Sequence, residues 1–203
     1  MNRDGVHVKI EASPVLRGVL YPSLLRPLNS KVSSEFDKEF DSQISSLPDL
    51  YGGKIAAALD RQHPRDLFDV KLLLENEGIS KDIMTGFLVY LMCHKRPPHE
   101  ILKPTLQDQS ALFNSDFKGM TNLDFDYADF LKTREMLVEK ISNSLSSNDK
   151  KFLLSFFDGK PNWNLFKEPH AQELPAIKWK LTNLNRLDSA KKTMQIESLN
   201  SIF

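Results

Sequence analysis

Cysteine occurs once in the 203 residues, as Cys93 in the apolar run "FLVYLMC". A single thiol excludes an internal disulfide and a thiolate metal cluster, and it fits a reducing cytoplasm. No run approaches the roughly 18 apolar residues that a membrane span requires, and the first thirty residues lack a charged start followed by an apolar core. A soluble, unsecreted, cytoplasmic protein with no membrane partner is expected. Neither sign of charge is in excess, at 27 basic and 27 acidic residues, so whole-chain charge argues for no polyanionic or membrane partner. From Lys160 onward seven basic residues face four acidic ones, a tilt that suits a phosphate backbone or equally a set of solvated helix faces. Internal repeats and low-complexity tracts are absent. Glycine is scarce too, with 8 in the chain, so the adjacent pair Gly52-Gly53 inside a helical stretch asks for a reason. Each costs about 1 kcal/mol relative to alanine in a helix interior.

What is present divides unevenly along the chain. In "VHVKIEAS", Val6, Val8, Ile10 and Ala12 alternate with His7, Lys9 and Glu11, the period of a half-buried strand with Lys9 and Glu11 on one face, about 7 Å apart. "VLRGVLY" reads as a second extended segment, and a short helix over Glu35 to Phe40 and a strand near Ile44 follow. Ser46 with Asp49 three residues later has capping-box spacing and starts a helix that runs to Arg61. Pro64 opens the next, which ends before Gly78, and Ser80 caps a third that the "KRPPHE" turn stops. Further helices are expected at Gln109 to Phe117, Tyr127 to Leu145, Asp149 to Phe157 and beyond Pro175. The fold class is therefore α+β: a few strands at the amino end, the remnant of a mixed sheet, then a mainly α-helical carboxyl-terminal part. The division falls at 1–78 and 79–203.

Gly52 with Ala56 and Gly53 with Ala57 are i, i+4 pairs, a stripe without bulk where another backbone, such as a helix-to-sheet contact, or a ligand comes close. Lys54 projects beside it, either solvated or aimed at that ligand. In "PRDLFDV", Arg65, Asp66 and Asp69 share one face of the first turns of a helix, as a surface ion pair in a capped helix or as a functional cluster. Glu11 joins them only if its strand face looks into a cleft lined by Lys54 and Arg65, a carboxylate for a divalent cation beside cations for phosphates. His63 and Asp66, with His94 and His99, lack the spacing of a metallohydrolase motif. Asp124 and Asp126 form an Asp-x-Asp, but at a helix start, where acids serve as caps.

Read in order, "VKIEASPVLRGVLYP", "LPDLYGGKIAAALDRQHPRDLFDV", "HKRPPHEILKP", "FKGMT", "FLLSFFDGKPNW" and "PHAQELPAIKWKLTNLNRL" resemble the nucleotidyl transferase AbiEii/AbiGii toxin family, of the DNA polymerase β-like nucleotidyltransferases. The resemblance runs from Val6 to Leu187. It implies transfer of a nucleotide from an NTP, with Mg²⁺, onto an acceptor such as tRNA or other RNA, in a toxin–antitoxin or abortive-infection system with a cognate antitoxin. By the same resemblance Glu11 matches a metal-binding acid, Lys54 the lysine near the triphosphate, and Arg65, Asp66 and Asp69 the Arg-Asp-x-x-Asp motif. Lys54, Asp66 and Asp69 are thus the expected catalytic residues, Lys54 and Arg65 the expected nucleotide-binding ones. The family's Gly-Ser/Thr and Asp-x-Asp have no counterpart upstream of Val6. The expectation is a truncated or split enzyme, inactive alone, that binds Mg²⁺ weakly and works with a separate amino-terminal fragment. The alternative is a non-catalytic helical binding module that retains the antitoxin surface.

Overall fold

Side-chain hydrogen bonds to the first free amides mark the start of most of the helices; those that open at Pro98, Ser110 and Pro175 begin without one. The computed structural model describes residues 18–203, together with the backbone of two short strands, β1 (Asn2–Arg3) and β2 (Val6–His7), paired antiparallel with Asn2 opposite His7. The expected strand is thus seen at Val6 and His7; its continuation through Ala12, with Lys9 and Glu11, lies outside the described residues.

A second antiparallel pair joins β3 (Leu24–Pro27) to β4 (Asp41–Ile44), with Leu24 opposite Ile44 and Pro27 opposite Asp41. Helix α1 (Ser30–Phe36) fills the connection, capped by Asn29, whose side chain accepts from the Lys31 amide. The helix expected over Glu35 to Phe40 therefore lies earlier. Asp37 ends it in the left-handed region at φ 48°, and the Ser33 hydroxyl donates to the Lys38 carbonyl at 2.7 Å, which turns Phe40 toward β4.

The remaining helices form as their caps suggest. Ser46 starts α2 (Leu47–Arg61), His63 starts α3 (Pro64–Glu75) and Ser80 starts α4 (Lys81–Cys93). Short α5 (Pro98–Leu102) and α6 (Ser110–Asp116) lead to α7 (Tyr127–Ser144) and α8 (Ser147–Phe157), each opened by a complete capping box. Two 3₁₀ turns, at Trp163–Leu165 and Pro169–Glu173, precede α9 (Pro175–Arg186) and α10 (Ser189–Asn200). Among the described residues no helix is long and apolar enough to cross a membrane.

The glycine stripe meets a helix, not a sheet. A Cβ on Gly52 would lie 2.5 Å from the backbone carbon of Gly86, and one on Gly86 would lie 2.2 Å from the Pro48 carbonyl oxygen, so α2 and α4 touch backbone to backbone. The expectation of a helix-to-sheet contact is corrected accordingly. From this seam the buried core continues without a break, through Leu67 and Val70 of α3 to Phe87, Phe130, Phe152 and Phe156. It crosses residue 78, so the two halves of the chain share one core.

Candidate functional site at the α2–α3 face

Asp66 and Asp69 sit three residues apart on α3, yet each faces a different cation on α2. Asp69 Oδ2 lies 2.6 Å from Lys54 Nζ, with side chains 36% and 39% exposed. Asp66, 2% exposed as a residue, receives the Arg61 fork through Nε at 2.6 Å and Nη2 at 2.9 Å. That bidentate bond spans the helix break, from the last turn of α2 to the first of α3. Arg65 is exposed and enters neither pair, so the surface pair suggested by its i, i+4 spacing with Asp69 does not form.

Several contacts fix the break itself. Gln62 closes α2 in the left-handed region at φ 49°. Its amide nitrogen donates to the Thr105 carbonyl at 2.8 Å, and its side-chain oxygen accepts from the Gln107 amide at 3.1 Å and from Arg134 at 3.0 Å. His63 Nδ1 accepts the Arg65 amide at 3.1 Å, which caps α3; burial and the neighbouring Arg65 charge lower its pKa. Phe68, one position from Asp69, packs on Phe117 and Phe125 with ring centroids 5.5 and 5.4 Å away. In the same last turn of α2, Arg96 donates to both the side chain and the carbonyl of Asp60, at 2.9 and 3.1 Å.

The start of α2 carries an anchor that the sequence pattern only half revealed. Asp49 accepts the Leu20 and Tyr21 amides at 2.8 and 2.9 Å and the Ser46 hydroxyl at 2.7 Å, while its own amide donates to Ser46 Oγ. Its carboxylate thus holds the incoming chain instead of returning to the Ser46 amide. His170 grips the same segment, its Nε2 2.8 Å from the Leu20 carbonyl oxygen. Arg61 and Asp49 are the site residues that the motifs missed. A basic residue just before a helix break and an acid just after it was the available signal for Arg61.

Leu47, Leu50 and Lys54 share one face of α2 by i, i+3, i+7 spacing. Leu47 and Leu50 line a cleft of about 500 Å³ with Leu24 and Ile44 of the β3–β4 pair, all of them exposed apolar residues. Lys54 therefore continues an apolar surface toward α3. Tyr51 stands beside the pair, its phenol pKa raised by burial, then by Glu77 and Asp69, against the lowering effect of Lys54.

Among the described residues no group of three His, Cys, Asp or Glu side chains could hold a metal. Asp66 and Asp69 are each engaged by a cation, and Glu11 lies outside the described residues, so the residues in view do not by themselves fit a metal site. Asp126 is the cap of α7, accepting the Asp129 amide at 2.8 Å, which makes the Asp-x-Asp structural.

Taken together these features define an α+β protein with two cation–carboxylate pairs across a two-helix motif and Arg65 exposed beside them. The family model for the nucleotidyl transferase AbiEii toxin of type IV toxin–antitoxin systems matches residues 1–183. The chain belongs to that family, whose members are nucleotidyl transferase toxins acting within an antitoxin pair. Neither the curated proteins nor the solved structures contain a significant match to the chain.

Proposed function

We propose that this chain carries one side of a nucleotidyl-transfer site, taking a nucleotide from an NTP onto a hydroxyl of RNA, with tRNA as the acceptor class. The observation that carries the reading is the Lys54–Asp69 pair on a face flanked by exposed Arg65. Lys54 is the cation for the triphosphate, and Asp69 holds its ammonium in place. Arg65, exposed beside it, supplies a second positive charge. Asp66 acts at one remove, since its bond to Arg61 sets the angle at which α3 leaves α2. In the reaction the acceptor oxygen bonds to the α-phosphorus and the bond to the α–β bridging oxygen breaks. Pyrophosphate leaves with that electron pair, and the hydroxyl proton passes to solvent. Lys54 and Arg65 offset the charge that builds on the phosphates.

Mg²⁺ is the expected cation, with Glu11 as this chain's ligand for it. The Asp-x-Asp at Asp124 and Asp126 caps α7 and is not free for a metal, so the family's Gly-Ser/Thr and Asp-x-Asp are proposed to come from a segment outside these 203 residues. In this reading residues 1–78 serve transfer, residues 79–203 form the helical support, and the protein works in the cytoplasm. The test combines the chain with labelled NTPs, Mg²⁺ and total RNA, with and without a fragment bearing Gly-Ser and Asp-x-Asp. Label is expected only with the fragment. Labelling by the chain alone contradicts the two-part site.

A second reading is favoured by the exposed apolar surface of Leu24, Ile44, Leu47 and Leu50. There the chain is a non-catalytic module whose surface binds the cognate antitoxin. No RNA labelling under any combination, with tight antitoxin binding lost in Leu50→Asp, decides for it.

A further inference from the structure

On the helical side of the protein a cleft of about 710 Å³ opens between the end of α4, α5, α9 and α10. Its size falls in the range of small-molecule sites. Lys95, Lys180 and Lys191 line it with His94 and His99, and among the described residues none that line it is acidic. Trp179, 66% exposed, and Met194 supply a broad apolar wall, with Leu184 and Leu187 behind them.

Lys180 is the unusual member. Its stem is half-buried and its ammonium spends one donor on the His94 carbonyl, at 2.6 Å, while lying 5.7 Å from the centre of the Phe157 ring. Among the described residues no carboxylate pairs with this partly desolvated cation; its electrostatic neighbour in the lining is the Cys93 thiol. Burial accordingly lowers its pKa. The Nδ1 atom of His99, also in the lining, is buried without a hydrogen-bond partner.

A ligand suited to this wall has a flat ring to cover Trp179 and an anionic group to meet Lys180. An exposed indole beside several lysines, with no acid among the described lining residues, matches a base and its phosphate; Asp60 lies behind His94, 3.5 Å from its Nε2. We propose that this cleft binds a nucleotide unit, with the base stacked on Trp179 and the phosphate held by Lys180, Lys95 and Lys191. The unit is either part of a single-stranded RNA or a free mononucleotide. The site stands on α4, α5, α9 and α10 alone and does not depend on the transfer reading; α10 lies beyond the residues that match the family.

The experiment uses the full chain, a fluorescein-labelled unstructured RNA decamer read by anisotropy, AMP as competitor, and an acidic decapeptide containing tryptophan as control. RNA binding is expected to weaken with a slope of about −2 in log affinity against log salt, from roughly 0.7 per phosphate contact over three lysines. Trp179→Ala, at an exposed position, should lower affinity by about 5- to 150-fold. Lys180→Gln should reduce the salt slope by about 0.7, a change that loss of packing alone does not produce. Displacement of the decamer by AMP at similar concentration assigns the cleft to a free mononucleotide, and failure of AMP to displace it assigns the cleft to an RNA strand. Preference for the acidic peptide overturns the proposal, as does wild-type affinity in Trp179→Ala. Binding that survives Trp179→Ala but is lost in Lys54→Ala belongs to the transfer face and overturns this proposal alone.

Discussion

Lys54 and Asp69 meet across two successive helices at 2.6 Å, each side chain a little over one-third exposed. At that exposure the pair is screened, and it contributes at most about 1 kcal/mol to stability. Asp69→Asn is therefore expected to shift the urea midpoint little while loosening the ammonium. Its signature in a transfer assay is a rise in KM for the NTP larger than the fall in kcat.

Asp66 differs because it is buried. Asp66→Asn weakens the bidentate bond and leaves Arg61 without its counter-charge, at a cost of about 2 kcal/mol. Arg61→Ala should match or exceed that loss, since it leaves the Asp66 carboxylate in a buried setting. Denaturant unfolding of the two variants checks the order, and equal stability of both with wild type contradicts the role given to the pair.

The glycine seam predicts a ranking. Gly86→Ala and Gly52→Ala drive a Cβ to 2.2 and 2.5 Å from backbone atoms, so α2 and α4 must separate. Each should destabilise by about 3 kcal/mol. Gly53→Ala meets the Tyr90 ring at 2.8 Å, a side-chain contact and not a backbone one, and should cost less. Thermal unfolding of the three variants reads the order directly.

His63 makes stability depend on pH. Its imidazole pKa is lowered from the ordinary 6.5 by burial first, then by Arg65. The folded state favours the neutral ring, whose Nδ1 accepts the Arg65 amide. The contribution is complete above 6.5 and is lost as pH falls from there through the lower folded-state value, because the unfolded chain takes up the proton first. Urea midpoints should fall across that window, and His63→Asn, which keeps a capping acceptor, should flatten the fall.

How far the sequence reaches depends on the range of the interaction. Ser46, Ser80 and Asp126 start helices through bonds to amides three residues on, so those starts were legible, whereas α8, capped by Ser146, begins two residues before the expected Asp149 start. The early end of α1 was not, since it rests on the left-handed turn of Asp37. Gly52 announced a close approach but not its partner, since Gly86 lies 34 residues away. Within the site, Arg65 and Asp69 have the right helical spacing, yet Asp69 faces Lys54 because α3 packs alongside α2. Asp49 likewise looked like half of a capping box, and its carboxylate went to Leu20 and Tyr21. The placement of Glu11 lies outside the described residues.

Transfer of label from NTP to RNA by Lys54→Ala, in the presence of Mg²⁺ and the Asp-x-Asp fragment, tests the central claim most directly. In the proposed site Lys54 is the cation for the triphosphate, and losing one such preorganised charge costs about 10²- to 10³-fold in rate. The account predicts a loss of that size with an unfolding midpoint close to wild type. A folded Lys54→Ala that labels RNA at the wild-type rate contradicts it.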